Sequence, residues 1–329
     1  MQKKVQTQLG AISVRKSHVL SPKGNFRQSP YLQETALFLG QSEIFMDASE
    51  LLERLSGIDL SDKQIENLCH HYGGVLEDEC IDNQDVVIEK DTNLTYAMVD
   101  GSYVMTRIDG WKEVKLGRIF KAGDNYALSE KRNTIKNSQY VAHLGECTDF
   151  IEKFSPNIAN FTYLVCIADG APWFWNWLRD YYPKAVQILD FYHGYEKICQ
   201  WSLSRFKDKI QRDLLNSNFK ELLLNDDVKE VIIQIQNTDC QGDILDKKQV
   251  LLTYLENNSH RMTYKTFLEK GYLIGSGAME SAHRNVIQQR MKRSGQRWTI
   301  QGGQQVLNLR TKFLSNQWNQ VTKKVRIAA

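Results

Sequence analysis

The sequence predicts an α/β protein whose mixed sheet is interrupted by an all-helical insertion and preceded by a small helical N-terminal domain. Three observations lead there. Residues 94–189 alternate strand-like and helix-like segments. Residues 195–270 show helical spacing with no strand signal, and residues 30–72 hold three helical segments with start and stop residues. The chain has 329 residues, enough for a large core and about two domains, with 42% hydrophobic and 25% charged residues as in ordinary globular proteins.

Taken in order, residues 1–25 alternate loosely through Val5, Leu9, Ile12 and Val14, as a short hairpin does. A helix is predicted over 30–40. Asp47 with Glu50, and Ser61 with Gln64, have the spacing of capping boxes, so helices are predicted to open at 47 and 61. The first stops at Gly57 and the second near Tyr72. This pair outlines a helix-turn-helix, which either reads DNA or simply packs. Residues 74–93 are acidic and irregular, with Glu77, Asp78, Glu79 and Asp82, so a boundary is placed there and the N-terminal domain spans 1–90.

Strands over 94–108 and 111–121 join through a hairpin turn at Asp109-Gly110, and a third strand covers 138–144. A helix follows at 147–154. The near-continuous apolar run 161–168 reads as a strand buried on both faces. A helix opens at Pro172, and a fifth strand covers 185–189. Three strands, a helix, a strand, a helix and a strand match a ribonuclease H-like arrangement. This core is predicted to span 91–194, to pause for the insertion at 195–270, and to resume over 271–329. There a long helix after Gly275-Ser276-Gly277 carries Glu280, and another runs from about 301 to 318.

Composition excludes several classes. The longest apolar runs are too short to span a bilayer, and the N-terminus lacks the apolar stretch of a secretion signal. None of the six cysteines forms a C-x-x-C pair, which argues against a disulfide framework and a structural zinc site. A cytoplasmic protein is expected. Net charge is only +3, yet over 271–329 Glu280 is the sole acidic residue among Arg284, Arg290, Lys292, Arg293, Arg297 and further basic residues. Such a segment is either a polyanion-binding surface or a solvated basic helix.

Four acidic positions stand out. Asp100 lies inside a predicted strand, where aspartate is disfavoured and a buried carboxylate needs a partner or a metal; the alternative is a turn at Asp100-Gly101. Asp169 ends the most apolar strand, where sites of open α/β sheets lie, or else caps the next helix. Glu280 sits near a helix start, whose dipole favours an ionised carboxylate, or is a surface residue. Asp190 and His193 form a D-x-x-H after the fifth strand, structural or functional. Acids on separate elements converging on open coordination positions are what two-metal phosphoryl transfer needs.

The segments MVDGSYV (98–104), WKEVKLGRIF (111–120), IADGAPWFWNWLRDYYPKAVQILDFYH (167–193) and IGSGAMESAHRNVIQQRMKRSGQRWTIQGGQQVLNLR (274–310) resemble bacterial insertion-sequence DDE transposases of the ISKra group, related to the Mutator-like and ISL families. The likeness covers roughly residues 5–320. It implies Asp100, Asp169 and Glu280 as catalytic metal ligands, Asp190 and His193 as auxiliary catalytic residues, and Mg2+ as cofactor with Mn2+ able to substitute. It implies double-stranded DNA as partner, at transposon ends and target, and a homodimer or larger assembly on DNA. Cleavage at the element ends, then transfer of the freed 3′-hydroxyl into target DNA, is the implied reaction in a nucleoid-associated bacterial protein. Arg284, Arg290, Lys292, Arg293 and Arg297 would hold phosphates, and Trp298 or Trp201 would stack on a base or pack in the core. Relatives carry paired cysteines near what is here Ser17 to Gly24, where this sequence has none. Relatives are already under way where this chain starts, which leaves open an upstream DNA-binding part or a longer product. Two other classes remain: a catalytically silent, transposase-derived DNA-binding protein, and a two-metal nuclease on the same fold that cuts without joining.

Overall fold

A computed structural model describes residues 2–7, 10–15, 26, 28–82, 91–129 and 132–328. Strands β1 (Gln2–Thr7) and β2 (Gly10–Arg15) form the expected antiparallel hairpin. Three helices follow: α1 (Pro30–Ser42), α2 (Phe45–Ser56) and α3 (Asp62–Asp82). The Ser61–Gln64 box forms: the Gln64 N–H donates to Ser61 Oγ at 3.3 Å, and the Ser61 N–H donates to Gln64 Oε1 at 3.1 Å. The Asp47 box does not form, because α2 already starts at Phe45 and Asp47 lies in its first turn. Helix α2 stops at Gly57, whose φ of 66° suits glycine.

Helix α3 runs ten residues past the predicted end at Tyr72, so Glu77, Asp78, Glu79 and Asp82 are helical rather than irregular. Tertiary packing decides this. Gly73 lies against the backbone of Gln305, Asn308 donates to the Gly73 carbonyl at 2.9 Å, and Lys153 pairs with Glu77. The rest of the expected boundary, 83–90, lies outside the described residues.

The central sheet contains β3 (Asp91–Met105), β4 (Trp111–Lys121), β7 (Gln139–Leu144), β8 (Phe161–Ala168) and β9 (Val186–Leu189). Its order is β7-β4-β3-β8-β9. Strands β3, β4 and β7 pair antiparallel, while β8 runs parallel to both β3 and β9. A hairpin of β5 (Asn125–Ser129) and β6 (Arg132–Ile135), not anticipated from sequence, lies between β4 and β7. The protein is therefore α/β with a mixed five-stranded sheet.

Helices α4 (Cys147–Phe154) and α5 (Pro172–Tyr181) cover one face of the sheet. Phe150 and Phe154 of α4 press so closely on Gly117 that no β-carbon would fit there. Phe174 of α5 packs against Phe154. After β9 come only helices among the described residues: α6 (Phe191–Arg205), α7 (Lys209–Leu224), α8 (Val228–Gln236), α9 (Asp243–Asn258) and α10 (Tyr264–Glu269). Helices thus fill the stretch 195–270, where helical spacing without strand signals was expected.

The predicted long Glu280 helix forms over 277–291, with a π-helical stretch inside it. An α-helical turn, α11 (Gly277–Ala282), passes into a π-helical stretch (His283–Gln288) and ends as α12 (Gln289–Met291). Then come α13 (Ile300–Leu314) and α14 (Trp318–Ala328). Helices α1 and α3 pack on α13 and α14, so the N-terminal helices share a core with the C-terminal ones rather than standing apart. No described helix is long and apolar enough to cross a membrane.

The outer edge of β7 is closed by side chains: Ser315 Oγ accepts from the Tyr140 N–H at 2.9 Å, and Gln304 spans two further positions. Gln304 of α13, 4% exposed, accepts from the Leu144 N–H at 2.8 Å and donates to the Ala142 carbonyl at 3.1 Å. It thus occupies the ladder positions of a missing strand. Gln304→Leu strands both backbone groups, at about 1–3 kcal/mol each. Urea unfolding should show a loss of about 2 kcal/mol or more; parent-like stability would mean that the edge finds other partners.

Candidate active site and basic surface

The register of the parallel strands places three aspartates in one row. Val99 pairs with Ala168, and Ala168 pairs with Leu189. One step further along lie Asp100, Asp169 and Asp190, at the carboxyl ends of β8 and β9 and beside them on β3. Neighbours in a row point to the same face of a sheet, with strands about 4.8 Å apart. Nothing local brings Asp100 and Asp169 together; the parallel pairing does.

The Glu280 helix lies on that same face. Arg118 of β4 is opposite Met98, two residues before Asp100, so it shares Asp100's face. Arg118 is 5% exposed and donates through one guanidinium nitrogen to the Ala278 carbonyl at 2.6 Å and to Ser281 Oγ at 2.8 Å. It thereby clamps α11 to the sheet. One turn beyond Glu280, His283 reaches Asp100, with Nε2 3.0 Å from Oδ2. Glu280 itself is exposed.

Each carboxylate has its own environment. Asp100 also accepts from the Gly101 N–H at 2.7 Å. Asp169 is half-buried and accepts from the Ala171 N–H at 3.0 Å. Burial raises its pKa above the ordinary carboxylate range, and the Asp100 charge adds to the rise. The Ala171 N–H, His193 and Lys197 oppose it. His193 thus stands within electrostatic reach of Asp169, on the first turn of α6.

For Asp190, open to a structural or a functional reading, the structure displays a positioning arrangement. Asp190 is 5% exposed and both oxygens are committed. One oxygen accepts from the N–H groups of Tyr192 (2.8 Å) and His193 (3.3 Å), capping α6. The other accepts from the Ser276 N–H at 3.2 Å and from the Ser276 hydroxyl. Asp190 therefore positions the loop that leads into the Glu280 helix. Among the described residues, no three of the histidine, cysteine and acidic side chains already stand at metal-ligand spacing.

The insertion touches this row through Tyr254 of α9. Its ring lies against Gly170, where a β-carbon would meet it at 2.1 Å. Burial raises the Tyr254 pKa, and the charges of Asp169 and Asp190 raise it further.

The basic residues divide. Arg284, Lys292, Arg293 and Arg297 are exposed. Arg290 is not a phosphate contact: it is fully buried, donates to the Gly40 carbonyl at 3.0 Å and stacks between Phe45 and Trp298. Trp298 is likewise buried and packs in the core; its indole N–H donates to the Met291 carbonyl. Its backbone bonds to Met105 and Arg107 fasten the basic loop 292–297 to the end of β3. Lys292 donates to Ser102, two residues past Asp100 on the same face. Arg293 pairs with Glu43 at 3.2 Å. Arg297 borders a cleft that also presents Lys63, His70 and Arg107. Trp201 is buried in the insertion.

His283 was not singled out by sequence, although its Glu-x-x-His spacing from Glu280 was available there. No known family profile and no curated protein matches the chain.

Asp169 yields a test free of any assay of function. Its raised pKa means that the folded state holds a proton more tightly than the unfolded chain does. Stability is then lost as pH rises from the ordinary value of 3.8 through the folded value, and stays lower above it. Asp169→Asn keeps the acceptor for Ala171 and removes the charge. In chelator, thermal melts should show this variant more stable than the parent at pH 7, with the gap closing toward pH 3.5. A variant less stable at every pH would contradict the assignment.

Proposed function

We propose that the protein is a DDE transposase acting on double-stranded DNA by metal-dependent phosphoryl transfer. The observation that carries this reading is the row formed by Asp100 and Asp169, with the Glu280 helix clamped over the same face. The strand order supports a ribonuclease H-like core: three antiparallel strands, then two parallel ones added on the far side of the first. The sequence resemblance assigns the same three acids.

The donor set fits a hard divalent cation. Two adjacent carboxyl groups, one with raised proton affinity, make a site where positive charge relieves repulsion. Asp100, Asp169 and Glu280 would hold Mg2+, with Mn2+ substituting. Such a cation, when bound, stabilises the charge that develops on the phosphodiester during in-line displacement. The protein's own part is positional. Arg118 fixes α11, Asp190 fixes the loop before it, and His193 biases Asp169 toward its ionised form. Arg284, Lys292, Arg293 and Arg297 hold DNA phosphates, and Lys292 leads from that surface to the acidic row. Two element ends must be joined, so the working form is a homodimer or larger assembly on DNA, in the bacterial cytoplasm.

Two experiments test the reading. A plasmid carrying the DNA that flanks the gene, incubated with protein and Mg2+, should be nicked and give joined products. Asp100→Asn, Asp169→Asn and Glu280→Gln should each abolish both while retaining DNA binding. Near-parental cleavage by any one removes that residue from the site. Nicking without joined products indicates a nuclease, and binding without nicking a silent DNA-binding protein. The second experiment measures binding across a salt series. Replacing a true phosphate contact among Arg284, Lys292, Arg293 and Arg297 by alanine lowers the slope of log affinity against log salt by about 0.9. Unchanged slopes for all four would leave the loop a solvated surface.

A further inference from the structure

Resting on the metal-dependent reading above, we infer that His283 is a nitrogen ligand to the cation held by Asp100. The site is then a mixed carboxylate–imidazole one that binds Mn2+ more tightly than Mg2+ while still accepting either.

Placement argues first. Glu280 and His283 are three residues apart on one helix, a spacing that lets a glutamate and a histidine converge on one ion. Helix α11 is α-helical through Ala282, and the π-helical stretch begins at His283. Such stretches recur at functional positions because they re-aim a side chain without ending the helix. Here the imidazole is aimed at the first acid of the row.

Distance argues second. Nε2 stands 3.0 Å from Asp100 Oδ2. Two cis ligands of an octahedral ion, each about 2.1 Å from it, are separated by √2 times that length, about 3.0 Å. The pair thus stands at a separation that two ligands of one cation can share. Rotation of the Asp169 and Glu280 side chains would complete the set; Glu280 is exposed and free of the packing that holds its neighbour Met279.

Burial argues third. His283 is 7% exposed, and among the described residues its Nδ1 has no hydrogen-bond partner. The tautomer of a histidine is set by the bond its other nitrogen makes. Without a cation the Asp100 carboxylate favours the proton on Nε2; a cation bound between them displaces it to Nδ1, which no described group occupies. The neutral ring can carry it on Nδ1 and offer the Nε2 lone pair to a cation. Mg2+ takes oxygen ligands, whereas transition-metal ions accept imidazole readily, which sets the selectivity.

The test is metal binding by the full chain without DNA. Mn2+ is titrated by electron paramagnetic resonance, and pulsed spectra of protein labelled with 15N-histidine read nitrogen coordination. The expected result is 15N coupling in the wild type that persists in His193→Ala and disappears in His283→Ala and His283→Asn. Mn2+ affinity in both His283 variants should fall by about tenfold or more, and Mg2+ affinity by a smaller factor. His283→Asn retains polarity at the buried position should the alanine variant fail to fold. Mn2+ bound by the wild type without nitrogen coupling overturns the ligand assignment and leaves the metal-dependent reading intact, as does coupling that survives in His283→Asn. Failure of the wild type to bind Mn2+ at all overturns both.

Discussion

The levelling of the ends of β8 and β9 with the Val99–Asp100 step of β3 is the constraint on which the site depends. Val99, Ala168 and Leu189 share a register, so the residues that follow them must share an edge, and all three are aspartates. Three carboxyl groups side by side are electrostatically costly. Each is relieved by recruiting a different part of the chain. Asp190 takes the first turn of α6 and the Ser276 loop, Asp169 takes the turn at Ala171, and Asp100 takes His283. Relieving the row thus anchors both ends of the helical insertion and draws the returning helix onto the sheet.

A second theme is the internal use of arginine. Arg118, Arg290 and Arg310 are all buried and each donates to at least one backbone carbonyl. Arg310 donates to the carbonyls of Asn285 and Val286, inside the π-helical stretch, and to Gln41 at the end of α1. Arg290 donates to Gly40 in that same last turn. Cations at a helix carboxyl end satisfy its free carbonyls and complement its dipole. Burial lowers the pKa of Arg290 and Arg310 to about 10, so both remain charged at neutral pH. Part of the basic character of the C-terminal segment is therefore spent on joining α1, the π-helical stretch and α13.

Much of this was legible in the sequence because strands buried on both faces and hairpin turns leave strong local signals. Strand β4 and helix α4 fall where periodicity places them, and Asp100 and Asp169 stand out as acids among apolar neighbours. What was not legible depends on long-range packing. A run of basic residues does not reveal that Arg290 turns inward while Arg293 turns out, since that follows from the meeting of Phe45 and Trp298 far apart in the chain. The extension of α3 through acidic residues depends on contacts with α13 and Lys153. The sequence left Asp190 open between a structural and a functional role because its four donors lie partly on a loop 86 positions away. His283 carried only the weak signal of its spacing from Glu280; its contact with Asp100, 183 positions away, shows what it faces.

The contact between Tyr254 and Gly170 bears on how the architecture can vary. The insertion is spliced between core segments, and its α9 lays an aromatic ring over the residue beside Asp169, where only a glycine leaves room. Helices 195–270 are consequently not an exchangeable cassette. A chimera that grafts in another insertion inherits a hole above Gly170 unless the donor brings its own aromatic plug. A graft onto a core with alanine or a larger residue at that position meets a steric bar. Insertion and core are constrained to diverge as a matched pair, with residue 170 and residue 254 as the tally between them.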